Sequence, residues 1–133
     1  MIFKKFFLLT VLFFINMNAQ ELNFENCDTL DTQYAIHMCA SKNFAKADSQ
    51  LNVVYKNILS QLEPVEKKAL VKSQKSWLKY RNDSEDFIGT FSEGGSMQTT
   101  QILLYSTKLT LERTKELRFI LKYKYGSVAI QIQ

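Results

Sequence analysis

Apolar residues recur at steps of three and four along most of this chain, in three stripes separated by two short breaks. The first stripe is Phe44, Ala47, Leu51, Val54, Ile58 and Leu62, widened by Tyr55 and Leu59. Such steps gather side chains on one face of a helix, so the stretch reads as a core-facing amphipathic helix. Thr29 or Asp31 is placed to cap its start. Pro64 ends it, because proline supplies no backbone donor and disfavours helical backbone at Glu63. The same proline suits the first turn of a second helix, with Glu66 near its positive end. The inward row of that helix is Leu70, Gln74, Trp77, Arg81, Ser84, Ile88 and Phe91, while Lys68, Lys72, Lys75 and Lys79 mark its solvated side. Ser92 to Gln98 contains Gly94-Gly95 and breaks the pattern. A third stripe follows from near Thr99 or Thr100: Ile102, Tyr105, Leu109, Arg113, Leu117 and Ile120. The expected fold is all-α, an antiparallel three-helix bundle with helices over about 30–62, 65–91 and 99–123.

The two ends of the 133-residue chain stand outside this pattern. Lys4 and Lys5 precede an apolar run from Phe6 to Ile15, followed by Asn16, Asn18 and the small Ala19. That is the layout of a secretory signal peptide over 1–19, cleaved after Ala19. The run is about half of the roughly 20 apolar residues that spanning a bilayer takes, so no transmembrane segment is expected after cleavage. The rest divides into an extended segment over 20–28, a helical domain over 29–125, and a flexible tail over 126–133 whose alternation is too short to pair alone. An exported protein is the address this predicts. The formal charge of +4 falls to +2 without the leader lysines, and no concentrated basic patch of the kind a nucleic-acid binder needs is present. Lys115 to Tyr125 interleaves basic and aromatic residues as a membrane-surface helix does, but a third bundle helix with snorkelling lysines accounts for it as well.

Several inward positions are polar. Asp48 and Asn52 lie one turn apart beside the first stripe, Gln74, Trp77 and Arg81 face inward from the second helix, and Arg113 faces inward from the third. A buried arginine keeps its charge and needs acceptors, and Asp48 is the nearest counter-ion by helix phase. No second inward carboxylate, serine–base pair or histidine joins them, so the set reads as a structural polar network rather than a catalytic one. No enzyme activity and no cofactor are expected. Cys27 and Cys39 form a disulfide if the chain is exported and stay reduced if it is cytosolic, while a metal would need more ligands than His37 adds. A bond between them needs Cα atoms within about 7 Å, whereas twelve helical residues span roughly 18 Å, so pairing requires a break or fold-back between them, expected before Tyr34.

The ordered set Cys27, Cys39-Ala40, Ala47-Asp48, Leu51-Asn52, Tyr55, Gln74, Trp77, Tyr80-Arg81, Gly94-Gly95-Ser96, Leu109-Thr110, Arg113 and Leu117 resembles the LprI-type lysozyme-inhibitor domain family of small exported bacterial proteins. The resemblance spans residues 27–117. Where that family carries two further cysteines this chain has Glu85 and Tyr105, which implies that those cysteines pair with each other in relatives and that Cys27 pairs with Cys39. It also leaves the Gly-Gly-Ser loop without a covalent staple. The resemblance implies a protein that binds a lysozyme-like glycosidase and covers its cleft. The loop Glu93, Gly94, Gly95, Ser96 and Met97 is the expected contact, with Glu93 facing a positive rim and Ser96 donating to a catalytic carboxylate. The alternative is a non-catalytic structural or protein-interaction module of the cell envelope.

Overall fold

The computed structural model describes residues 23–125, so the expected leader at 1–19 and tail at 126–133 lie outside the described residues. Three long helices follow one another: α1 over Gln33–Gln61, α2 over Pro64–Gly89 and α3 over Gln98–Tyr125. Short 3-10 turns sit before α1 at Cys27–Thr29 and after α2 at Thr90–Ser92, and no strand occurs among the described residues.

The start of α1 falls later than Thr29 or Asp31, at a cap provided by Thr32, whose hydroxyl accepts from the Ala35 amide at 3.1 Å. The reason is the disulfide. Cys27 and Cys39 are bonded with their Cα atoms 5.7 Å apart, so the chain must turn back at Cys27–Thr29 before a helix can begin. Asn43, buried one turn after Cys39, clamps the returning segment from both sides. Its Nδ2 donates to the Glu25 carbonyl at 2.8 Å, and its Oδ1 accepts from the Glu25 amide at 3.1 Å. At the other end Pro64 occupies the first turn of α2, and the Glu66 carboxylate accepts from the Glu63 amide at 2.9 Å.

The chain runs up, down and up, so α1 and α3 point the same way and form the closest-packed pair. His37 Nδ1 lies 3.1 Å from Thr100 Oγ1 near their first turns, and Leu117 joins Leu51, Val54 and Ile58 near their last. Small side chains permit the approach. Ala40, Asn43 and Ala47 on α1 and Thr100, Ser106, Thr107, Thr110 and Thr114 on α3 are all buried. The hydroxyls of Thr107 and Thr114 donate back to the carbonyls of Leu103 at 2.7 Å and Thr110 at 2.8 Å, which satisfies them inside the interface. The apolar core sits toward the other end, where Leu70 and the partly buried Tyr55, Leu59, Leu62, Trp77 and Leu121 complete it.

Two residues expected inside are outside. Phe91 is 67% exposed, because the α-helix stops at Gly89 and the tighter 3-10 turn rotates the next residues out of the inward row. Ile120 is 40% exposed, because after Leu117 the buried side of α3 continues one turn on to Leu121, which packs against the core, and Ile120 lies beside it.

Glu66 also meets Lys124, so the base of α2 is tied to the last turn of α3. The hydrogen bond from Lys124, and then that from the Glu63 amide, hold the Glu66 carboxyl below its ordinary value of 4.5. A carboxyl with a lowered folded pKa contributes stability above its unfolded value and loses it as pH falls through the folded one. Glu66→Gln should therefore melt lower than wild type at neutral pH, and the gap should close as the pH falls below about 4.5 in thermal melts. A gap of the same size at neutral and at acid pH would contradict the assignment.

Candidate functional site

Two places in the fold concentrate polar chemistry. The first lies mid-bundle. Successive turns of α2 present Gln74, Trp77 and Arg81 toward α1 and α3. Arg81 Nη1 donates to Asp48 Oδ1 at 3.1 Å and to Thr110 Oγ1 at 3.2 Å, joining all three helices through one guanidinium. Its centre stands 5.4 Å from the Phe44 ring and 5.2 Å from the Trp77 ring. Glu85 Oε1 lies 3.5 Å from Arg81 Nε, close enough for attraction but without a hydrogen bond at that atom. Asn52 Nδ2 holds the other Asp48 oxygen at 3.2 Å.

Arg113 takes different partners. Its Nε donates to buried Gln74 Oε1 at 3.1 Å, Nη2 to Ser73 Oγ at 3.0 Å and Nη1 to Glu116 Oε2 at 2.8 Å. It too approaches Trp77, at 6.0 Å. The structure thus brings together all six residues that sequence pattern singled out: Asp48, Asn52, Gln74, Trp77, Arg81 and Arg113. Within this network the Asp48 carboxylate is held by both Arg81 and Asn52. A groove of about 320 Å³ between α1 and α2 opens over Asp48, Gln74 and Arg81, with Leu51, Tyr55, Val71 and Leu78 among its walls. Among the described residues no group of histidine, cysteine and acidic side chains could hold a metal ion.

The second place is the α2–α3 connection. Ser92 to Gly95 make a turn in which the Gly95 amide donates to the Ser92 carbonyl at 2.8 Å. Glu93 has φ −53° and ψ 128°, and Gly94 has φ 72°. Those angles are those of a type II turn, whose third residue must tolerate positive φ. A Cβ on Gly95 would meet the Ser92 carbonyl oxygen at 3.0 Å, so the second glycine keeps the turn tight. Nothing lies within 4 Å of where a Cβ on Gly94 would stand, which leaves that backbone open to a partner.

This loop is anchored without a staple. Ser96 Oγ donates to Gln33 Oε1 at 3.0 Å, and Gln98 Nε2 donates to the Gly89 carbonyl at 2.9 Å. The Ser96 proton is therefore engaged within the molecule, and the residue acts first as a tie between the loop and the start of α1. Glu85, at one position where the resemblance places a cysteine, accepts from Ser106 Oγ at 2.7 Å across α2 and α3. At the other, Tyr105 neighbours Tyr80 and Ser84, and burial followed by the adjacent Tyr80 pushes its hydroxyl above the ordinary value.

Sequence pattern missed what surrounds the loop. Phe87 and Phe91 are 61% and 67% exposed and stack edge to face with ring centres 4.9 Å apart. Beside them a cleft of about 330 Å³ is lined by Glu85, Asp86, Gly89, Thr90, Glu93, Gln98 and Ile102. Its three carboxylates come from α2 and the loop. The one signal in the sequence was Gly89: an α-helix ending there leaves Phe91 outside the inward row.

The span matched by known sequences coincides with this architecture. A family model described as "Lysozyme inhibitor LprI" matches residues 25–117, from the residue clamped by Asn43 to the last fully buried leucine of α3. An uncharacterised protein of Rhizobium meliloti (strain 1021) is 26% identical over 118 residues, which cover 79% of this chain and 84% of that protein. No solved structure matches the chain at a significant level. By its disulfide-closed helical domain and by the family match across most of its length, the chain belongs to the lysozyme inhibitor LprI family.

Proposed function

We infer that the protein is exported to the bacterial envelope, where it inhibits a lysozyme-like glycosidase by covering its cleft with the loop end of the bundle. Export is supported by the leader pattern of residues 1–19 and by the disulfide, which persists in oxidising compartments. No described helix is long and apolar enough to cross a membrane.

The observation that carries the reading is the coincidence, at one end of the molecule, of three features. These are the glycine turn with open backbone at Gly94, the exposed pair Phe87 and Phe91, and the acid-lined cleft of Glu85, Asp86 and Glu93. Aromatic side chains, phenylalanine among them, are enriched in the buried centres of interfaces. Many lysozymes are cationic, and local acids opposite a positive rim favour encounter even where the net charge of the chain does not. Blocking a cleft requires complementarity and no catalytic group. Glu93 and the two phenylalanines make the contact, and Ser96 holds the turn in shape.

A lysozyme turbidity assay on bacterial cell walls tests this, with the wild-type chain beside Glu93→Ala/Ser96→Ala and Phe87→Ser/Phe91→Ser. Wild type should slow clearing, and each double variant should weaken inhibition by about tenfold or more, the equivalent of 1.4 kcal/mol. Inhibition unchanged in both variants would move the contact to another surface. Absence of inhibition across lysozyme classes would instead favour a non-catalytic interaction module of the envelope.

A further inference from the structure

The outer face of α3 presents a second surface that the inhibitor reading does not use. Lys115, Arg118, Phe119, Lys122 and Tyr123 stand at steps of three and four along the helix, which places them on one stripe, and all five are exposed. Phe119 is 50% and Tyr123 63% exposed, although both lie within a folded helix next to the apolar core. The only acids on α3 are Glu112 and Glu116, and Glu116 is bound to Arg113. No acid among the described residues pairs with Lys115, Arg118 or Lys122. The lysine row of α2 differs: Lys79 is bound to Asp83 at 2.7 Å, and no aromatic shares the stripe of Lys68, Lys72 and Lys75.

We propose that this stripe docks the protein on the surface of an anionic phospholipid bilayer. Three unpaired cations over about two turns supply attraction to lipid phosphates, and aromatic side chains beside them suit the level of the headgroups. The occupant follows from charge: the stripe is cationic, whereas the face offered to a cationic enzyme at the loop end is acidic. α3 separates the two, with Gln98 some 17 residues before Lys115, roughly 25 Å at 1.5 Å per residue. A chain lying on a membrane by this stripe keeps its loop end free.

Residues 23–125 carry their own core and disulfide, so the chain from Gln20 to Gln133 serves for the test and removes the apolar leader as a source of lipid binding. Co-sedimentation is measured with phosphatidylcholine vesicles and with phosphatidylcholine–phosphatidylglycerol vesicles. Binding should appear on the anionic vesicles and weaken steeply with salt. At about fivefold per cation, Lys115→Gln/Arg118→Gln/Lys122→Gln should lower partitioning by about a hundredfold. Phe119→Ser/Tyr123→Ser should weaken it while leaving the salt dependence in place. Lys68→Gln/Lys72→Gln/Lys75→Gln removes the same charge from α2 and should have a much smaller effect. Equal binding to neutral vesicles, no binding to either, or an equal loss in the α2 variant would overturn the proposal. None of these outcomes bears on lysozyme inhibition, which the turbidity assay reads separately.

Discussion

Asp48→Ala should lower the melting temperature by about 10–20 °C. The substitution removes the acceptor that Arg81 shares with no other residue on α1 and leaves a guanidinium 13% exposed with Thr110 as its remaining hydrogen-bond partner. Breaking a fully buried pair costs about 3–5 kcal/mol. The Asp48 side chain is 39% exposed, so water can reach part of the vacated site and the cost falls to about 2–3 kcal/mol. At roughly 4–8 °C per kcal/mol for a domain of this size, that gives the stated shift. Arg81→Met loses the same bridge together with its contacts to Phe44 and Trp77, yet it leaves no unmatched cation. The double variant Asp48→Ala/Arg81→Met should therefore melt higher than the sum of the single losses predicts, a coupling that thermal denaturation of the four proteins reads directly. Additive losses, or variants that melt like wild type, would remove the network from the account of stability.

The disulfide is the second large term. Cys27→Ser/Cys39→Ser opens a loop whose ends are 12 residues apart, for which chain entropy gives about 3 kcal/mol. The loss should be concentrated at the N-terminal segment, because residues 23–31 are held to α1 mainly by this bond and by Asn43. Amide hydrogen exchange should show residues 23–32 losing protection first, while the buried Leu51, Val54 and Leu117 amides keep theirs at neutral pH. Loss of protection throughout the bundle would mean that the bond supports the core and not only the fold-back.

Much of this architecture is legible in the sequence because large apolar residues at helical spacing, Pro64 and the glycine pair are each tied to one backbone outcome. The α1 stripe from Ala47 to Ile58 is buried as its spacing requires. Inward arginines are legible too, since a charge at a core position has to find acceptors. What stays hidden is the α1–α3 contact. Thr100, Ser106, Thr107, Thr110 and Thr114 read as a polar face, yet they form the most buried side of α3. Their small size lets two backbones come close, and their hydroxyls are satisfied, those of Thr107 and Thr114 by their own helix and those of Thr100, Ser106 and Thr110 by His37, Glu85 and Arg81. Asn43 escapes notice for a related reason: its value lies in matching a backbone amide and carbonyl 18 residues away, which no periodicity records. The exposed aromatics were obscured by a change of helix type. Extending α-helical phase two residues past Gly89 places Phe91 inside, whereas the 3-10 turn turns it outward beside Phe87.

The division of the molecule bears on the proposal that binding falls at the loop end. Large apolar side chains lock the base of the bundle, where Leu51, Val54, Ile58, Leu70 and Leu117 meet. The loop end is closed by small residues and hydrogen bonds, among them His37 with Thr100, Ser96 with Gln33 and Gln98 with Gly89. Its aromatic residues are left over for a partner. The most direct test is hydrogen exchange of the chain alone and with a lysozyme for which the turbidity assay reads inhibition. The account predicts new protection confined to residues 85–98, spanning Phe87, Phe91 and the Glu93–Met97 turn. Protection centred instead on the α1–α2 groove around Tyr55 and Leu78, with the loop unchanged, would contradict it.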